Sequence, residues 1–314
     1  MKYFLVLNPT AKSGKGRKKW KLIFEELLKN KVDFEYKVSE YAGHSIDLAK
    51  DAAQNDYNVV VAVGGDGTIN EVLSGIMASN CAKKPSLGIL YTGTSPDVCR
   101  YHGISLDLKK AINQLINAKP TLTDIGRVCY FKTNSMDNSF ESNENMITSH
   151  FLCSVNLGIG ARIANGSNSG LRKYFGDLVG TFLSSIKSLI TYKPANFTCH
   201  LDSNKNVFNK TINMTIGKNP YIASGFKVLS PIKHDDGKMY FFSINKFNFF
   251  SILTNINKLY KGSFQNHPNN TFKFISSFEC EHNPTAPELE FDGDPRGYLP
   301  CKISISNKSL SLLR

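Results

Sequence analysis

This sequence lacks paired cysteines. Its seven cysteines (Cys81, Cys99, Cys129, Cys153, Cys199, Cys280 and Cys301) are scattered, with no CxxC pair and no regular spacing. That excludes a disulfide scaffold and a zinc site of the usual spacing, and it fits a reducing compartment. It also lacks any run near the about 20 apolar residues that a membrane-spanning helix requires. The N-terminal MKYFLVLNPT is apolar only from Tyr3 to Leu7, too short for a signal-peptide h-region, and shows no cleavage site. Internal repeats are absent. The expectation is a cytoplasmic protein, soluble or at most peripheral to a membrane.

What the sequence does have is length and positive charge. A chain of 314 residues predicts two domains. The net charge is +12, and the run Lys12 to Lys21 (KSGKGRKKWK) is its densest part. Such a run reads either as a solvated helix face or as affinity for polyanions: nucleotide phosphates, nucleic acid or an anionic bilayer.

The first part of the chain alternates strand and helix patterns. YFLVLN (3–8), FEYKVS (34–39), NVVVAV (58–63) and SLGIL (86–90) read as strands. Between and after them, Trp20, Ile23, Phe24, Leu27 and Leu28, then Leu48, Ala49, Ala52 and Ala53, then Ile69, Val72, Leu73 and Ile76, then Ala111, Ile112, Leu115 and Ile116 fall at helical spacing. Uninterrupted apolar strands alternating with helices predict a parallel sheet covered on both faces. After about Asp124 the pattern changes. Residues 131–150 are polar and read as a long loop or hairpin tip, followed by short antiparallel strands such as HFLCSVNLG, ANFTCHL, VFNKTINMTIG, KMYFFSI and FKFISSFECE. One helix, from Tyr174 to Ile190, interrupts them, with an apolar stripe read as core packing. The domains expected are 1–125 (α/β) and 126–302 (β-rich), with a C-terminal segment 303–314 free to return to the first. A cleft between two such domains is a usual ligand site.

Gly64-Gly65-Asp66-Gly67-Thr68 ends the third strand and opens a helix. Ligands of open α/β sheets bind at that edge, glycines admit close backbone approach, and a helix N-terminus favours anions. A carboxylate beside phosphate calls for a divalent cation between them, so Asp66 points to Mg²⁺. The alternative is a glycine-rich turn whose Asp caps the helix. Asn8-Pro9-Thr10, Ser39 and Gly93 to Asp97 end the other strands at the same edge. Two familiar nucleotide motifs fail. Ser13-Gly14-Lys15-Gly16 lacks the P-loop's earlier Gly and following Ser/Thr, and Gly158-Ile159-Gly160 has Ile163 where a dinucleotide fingerprint has its third glycine. His234-Asp235-Asp236-Gly237 and Phe291-Asp292-Gly293-Asp294-Pro295 are acidic pairs beside glycine. Each reads as an exposed turn or as part of a cation site with a general base.

Together these segments resemble the diacylglycerol kinase catalytic family, which includes soluble bacterial lipid kinases and sphingosine kinases. NPTAKSGKG, GGDGTINEV, GTSPDVCR, VNLGIGARI, SPIKHDDGKMYFFSI, LYKGSFQNHP and FDGDP occur in the family's order over nearly the whole chain. The resemblance implies an α/β plus all-β fold. Its first domain would be a Rossmann-like three-layer nucleotide domain of the NAD kinase and diacylglycerol kinase type. Its second would be antiparallel and β-sandwich-like, with the active site in the interdomain cleft. It implies ATP and Mg²⁺ as cofactors. Asn8, Pro9, Thr10, Ala11, Lys12, Ser39 and Thr94 would contact the nucleotide, and Gly64, Gly65, Asp66, Gly67, Thr68, Ile69 and Asn70 would cradle its phosphates. Asp236, with the carbonyls of Lys233 and Lys238, would hold a structural Mg²⁺. Asp66 and Asp235 would belong to the catalytic Mg²⁺ network. Asp294, backed by Asp292, would be the general base. Two departures stand out: Asp294 replaces the family's Glu, and Pro96 replaces its Asn. The expected function is an ATP-dependent lipid kinase with a diacylglycerol-like acceptor, in lipid metabolism. Its partners would be a lipid substrate presented by a membrane surface and anionic phospholipids, with no nucleic acid; a homodimer is left open. The rivals are a kinase of a soluble substrate such as NAD and a nucleotide- or lipid-binding pseudokinase.

Overall fold

The structure, a computed structural model, describes all residues except 141–145, 168–187, 189, 223–225 and 248. The chain divides into two units, residues 1–125 with 307–314, and residues 126–306.

The first unit runs β1 (Lys2–Leu7), α1 (Trp20–Lys29), β2 (Asp33–Val38), α2 (His44–Gln54), β3 (Val59–Gly64), α3 (Asp66–Ala78), β4 (Ser86–Tyr91), α4 (Asp97–His102) and α5 (Leu108–Asn117). The strands are parallel in the order β2-β1-β3-β4. Leu312, in the segment that returns, pairs in parallel with Leu87 of β4. All six residues of β3 are buried, because helices cover both faces of the sheet. Val59, Val61 and Val63 pack with Ile23 and Leu27 of α1 and with Ile112 and Leu115 of α5. The alternate residues Val60 and Ala62 are equally buried, on the side where α2 and α3 lie. Each such side chain contributes about 1.5–3 kcal/mol by leaving water. The helix α5 starts where the Asp107 carboxylate accepts the Lys110 N–H at 3.0 Å, an N-cap.

The second unit contains β5 (Pro120–Phe131, entering from the first unit), β6 (Met146–Phe151), β7 (Ser154–Gly158), α6 (Ile159–Ser167), β8 (Ala195–Leu201), β9 (Asn204–Gly217), β10 (Tyr221–Ile222), β11 (Phe226–Lys227), β12 (Met239–Asn245), β13 (Thr271–Ile275), β14 (Ser277–Cys280), β15 (Glu288–Phe291) and β16 (Asp294–Leu313). The polar stretch 131–150 is partly strand, since residues 126–131 pair antiparallel with 146–151. The pairing β9-β7-β15-β16-β14-β8 returns to β9, so the strands close a circuit. That circuit surrounds a core of Phe197, Met214, Ile216, Phe241, Phe278, Leu289 and Phe291. The alternate residues of β12, Tyr240 and Phe242, face a second cluster with Val228, Leu259 and Phe264. Such two-sided burial explains the continuous apolar run MYFF at 239–242. Most of the helix expected from Tyr174 to Ile190 lies outside the described residues. Among the described residues, no helix is long and apolar enough to cross a membrane.

In the first unit, α2 and α3 touch through small residues. A Cβ on Gly75 would stand 2.3 Å from the Ile46 carbonyl oxygen and 2.7 Å from Ala49 Cβ. Alanine improves helix propensity by about 0.5–1 kcal/mol over glycine, but overpacking costs about 1–3 kcal/mol. Gly75→Ala is therefore expected to lower the unfolding midpoint in a thermal or denaturant melt. An unchanged or raised midpoint would refute the close helix contact.

Candidate functional site

In the first unit the strand-end loops converge. A Cβ on Gly93 would meet Gly65 Cα at 2.5 Å, and one on Gly64 would meet Thr68 Oγ1 at 2.2 Å. Only glycine lets the loop after β3 pass the loop after β4 so closely. Gly65 is the N-cap of α3, in extended conformation and without a side-chain cap. Asp66 is thus the first helical residue and not its cap, and the first-turn N–H groups lack helical acceptors, as at any helix start. The Asp66 carboxylate accepts the Asp97 N–H at 3.3 Å. Pro96, which has no N–H of its own, is the N-cap of α4. Asp97 is itself held by Arg100 at 3.0 Å and by the Ser95 hydroxyl at 3.2 Å. Burial, then the charge of Asp66, raise the Tyr91 phenol and push the Cys99 thiol up to about 12. Both are therefore neutral packing groups around this carboxylate at physiological pH.

Asn8 ties the first strand to the same place. Its Nδ2 donates to Thr68 Oγ1 at 2.8 Å, while its Oδ1 accepts the N–H and hydroxyl of Thr10 at 2.9 and 2.8 Å. Ser39 is buried, its N–H donating to the Leu7 carbonyl at 2.9 Å. Thr68, Ile69 and Asn70 are buried within α3. Thr94 and Lys12 are exposed, and Ala11 is buried with its carbonyl accepting the Gly16 N–H at 3.1 Å. Lys12, Ser13 and Gly14 all have left-handed φ, which turns the chain sharply before the basic run. An open cleft of about 570 Å³ lies there, lined by Pro9, Thr10, Ser13, Gly14, Lys15, Arg17 and Lys18. Sequence reasoning singled out the basic run but did not place Ser13, Lys15, Arg17 or Lys18 in a site.

In the second unit, Phe291 to Asp294 form a two-residue hairpin. Phe291 pairs with Asp294, and Asp292 and Gly293 have φ of 51° and 89°. Asp-Gly suits such a turn because both central residues need positive φ. Yet Asp292 is buried. Its Oδ2 accepts the Leu152 N–H at 2.9 Å, and its Oδ1 accepts those of Cys153 at 2.8 Å and Ser154 at 3.3 Å. This carboxylate braces the hairpin against the start of β7. Asp294 is half-exposed and receives Arg296 Nη2 at 3.0 Å.

The 233–238 loop turns at Gly237, with φ 68°. Asp235 is partly exposed, 3.8 Å from His234 Nε2. Asp236 is engaged by protein groups: the N–H groups of Lys233 and Lys238, at 2.9 and 3.1 Å, and the ammonium of Lys218. The Lys238 carbonyl, an expected metal ligand, accepts that same ammonium at 2.8 Å. Two of the three groups expected to hold a structural Mg²⁺ are thus engaged by a cation of the chain.

Sequence reasoning missed a buried polar row on β15, β7 and β9. Glu290 pairs in register with Asn156, and Asn156 with Thr215. Asn156 Nδ2 donates to Glu290 Oε1, and the Gly293 N–H to Glu290 Oε2 at 3.0 Å. Thr215 and Asn213 donate to Asn156 Oδ1, and Asn213 Oδ1 accepts the Gly160 N–H at the start of α6. The available signal was a polar residue between two apolar neighbours on each of three strands: Asn156 between Val155 and Leu157, Thr215 between Met214 and Ile216, and Glu290 between Leu289 and Phe291. Burial raises the Glu290 carboxyl to about 8 against its two donors, with Asp292 and Asp294 adding to the rise.

A parallel α/β unit with glycine-built anion loops, joined to an antiparallel unit bearing an acidic hairpin, is the architecture of a phosphotransferase acting on an alcohol. The diacylglycerol kinase catalytic domain matches residues 2–128, and the YegS C-terminal NAD kinase beta sandwich-like domain matches residues 153–314. The chain belongs to the diacylglycerol kinase family of lipid kinases. It is 26% identical to the diacylglycerol kinase of Staphylococcus carnosus (strain TM300) over 95% of this chain and 90% of that protein. It is 34% identical to the diacylglycerol kinase of Bacillus subtilis (strain 168) over 40% of this chain and 41% of that one. A crystal structure of a diacylglycerol kinase from Bacillus anthracis str. Sterne shares the fold, with a TM-score of 0.73, 19% identity and coverage of 99% of this chain and 96% of that one.

Glu290 supplies a pH test. Its folded-state value lies above the ordinary 4.5, so its contribution to stability is full below about 4.5 and is lost as pH rises towards about 8. Glu290→Gln has no proton to lose. Its melting temperature is expected to gain on that of the wild type as pH rises from 4.5 to about 8. A constant difference between the two across this range would refute a buried neutral carboxyl.

Proposed function

We propose that the protein is an ATP- and Mg²⁺-dependent lipid kinase that transfers the γ-phosphoryl group to the hydroxyl of a diacylglycerol-like acceptor. The observation that carries this reading is the Gly65–Gly93 approach at the start of α3, whose first turn holds Asp66 and the backbone N–H groups of Gly67 and Thr68. N–H groups so placed bind phosphate oxygens without reorganising during the reaction, the main way a protein speeds phosphoryl transfer. The cleft beside Thr10, Lys15, Arg17 and Lys18 adds positive charge for the rest of the triphosphate. Asp66 of the first unit and Asp235 of the second are the residues that would hold Mg²⁺, which would supply neutralisation of charge on the transferred group.

On the second unit, Asp294 takes the proton of the acceptor hydroxyl while that oxygen bonds to the γ-phosphorus and the bond to ADP breaks. Arg296 orients the carboxylate, and the braced Asp292-Gly293 turn fixes the position of Asp294 in the chain. With one methylene fewer than glutamate, Asp294 reaches less far, so the acceptor comes closer to the hairpin or a water relays the proton. The diacylglycerol-like acceptor rests on the names of the relatives. Peripheral membrane attachment rests on the +12 charge, since each basic residue near an anionic surface contributes about 1 kcal/mol.

The test is transfer of label from γ-labelled ATP with Mg²⁺ to vesicles containing diacylglycerol and anionic phospholipid, with NAD as the soluble control. Labelled phosphatidic acid is expected. Label on NAD alone, or ATP binding without any transfer, overturns the reading. Asp294→Asn is expected to lower turnover by about 10²–10⁴-fold, the usual contribution of a general base, while the melting temperature stays that of the wild type. Wild-type turnover in that variant would remove Asp294 from the base role.

A further inference from the structure

We infer that the Lys218 ammonium is the built-in cation of the 233–238 loop, standing where the family resemblance puts a structural divalent ion, so that the loop is ordered without metal. Lys218 follows the end of β9 and its N–H donates to the Cys153 carbonyl at 2.9 Å, which fixes the backbone from which the side chain starts. The side chain is only 2% exposed, among the largest fully buried in the molecule. A lysine is almost never buried so completely unless it is paired. Its partners are the Asp236 carboxylate and, at 2.8 Å, the Lys238 carbonyl. Those are two of the three groups expected to coordinate the ion.

The remaining capacity of the carboxylate is also spoken for. Asp236 Oδ2 accepts the Lys233 N–H at 2.9 Å, and Oδ1 accepts the Lys238 N–H at 3.1 Å. The Asp236 carboxylate and the Lys238 carbonyl are therefore matched by a cation within the chain. A divalent ion on the same oxygens would have to displace the ammonium and leave a buried charge without these partners, which is strongly unfavourable. Asp235, the preceding residue, is then presented by a loop whose order is independent of Mg²⁺. This inference does not depend on which hydroxyl is phosphorylated.

The experiment uses the full chain without nucleotide. Metal-stripped wild type is melted in excess EDTA and in millimolar Mg²⁺, and its bound divalent metal is measured by elemental analysis. The expected result is the same melting temperature in both and no stoichiometric metal. Stabilisation of the wild type by Mg²⁺, or one tightly held divalent ion per chain, overturns the inference. Lys218→Met, which keeps the packing stem but removes the charge, is expected to melt lower by about 6 °C or more, as for the loss of one partner of a buried pair. Lys218→Ala, which also leaves room, is expected to melt lower and to regain part of the loss with Mg²⁺. Wild-type melting of either variant, or a Lys218→Ala protein indifferent to Mg²⁺, overturns it as well. Should neither variant fold, the wild-type melts and metal content decide alone.

Discussion

The backbone of Gly65 lies against the backbone of Gly93, and the arrangement of the first unit's strand-end loops depends on that contact. Two loops that leave neighbouring parallel strands can meet this closely only where neither carries a side chain. The contact sets where α3 begins and thereby where its first N–H groups lie. It brings the start of α4 within reach of Asp66, so that the Asp97 N–H supports the Asp66 carboxylate. Asn8 completes the frame from the end of β1 by binding Thr68 and Thr10 at once. A buried β3 supplies the rigidity, and its hydrophobic packing determines where the loops start.

The second unit positions its acidic residues by a different means. There the carboxylates are held by buried donors. Asp292 accepts backbone N–H groups of three consecutive residues, Asp236 is matched by Lys218, and Glu290 is matched by Asn156 and Gly293. Buried carboxylates are costly unless satisfied in this way, so each bond set also dictates which backbone conformation the loop adopts. Asp294 and Asp235, with side chains 47% and 39% exposed, are more open than Asp236 at 24% and than the buried Asp292 and Glu290. The division is physical: the more deeply engaged acids shape the loops, and Asp235 and Asp294 keep more of their surface open.

This division also explains how a chain only 26% identical to a diacylglycerol kinase over nearly its whole length keeps that family's fold. The fold needs glycine at close approaches, apolar residues on covered strands and a satisfied partner for each buried charge. Each requirement is met by few positions and tolerates wide variation elsewhere. Pro96, a departure from the family's pattern, shows the tolerance: it sits at the N-cap of α4, where a missing N–H leaves no helical bond unmade.

The sequence by itself determined the alternating α/β half, because continuous apolar runs such as VVVAVG can only be strands covered on both faces. It also determined the strand-end glycines and the Asp-Gly hairpin, because their conformations are local. What only the tertiary structure decided concerns partners distant in the chain. Lys218 and Asp236 are matched across a strand end and a loop, Asp292 reaches back to Leu152, and Glu290 meets Asn156 and, through it, Thr215. Neither Lys218 nor Glu290 lies in a motif that the sequence singles out. Burial and pairing are properties of the assembled sheet. They make one of these residues an internal cation and raise the carboxyl of the other, through partners that lie far away in the chain.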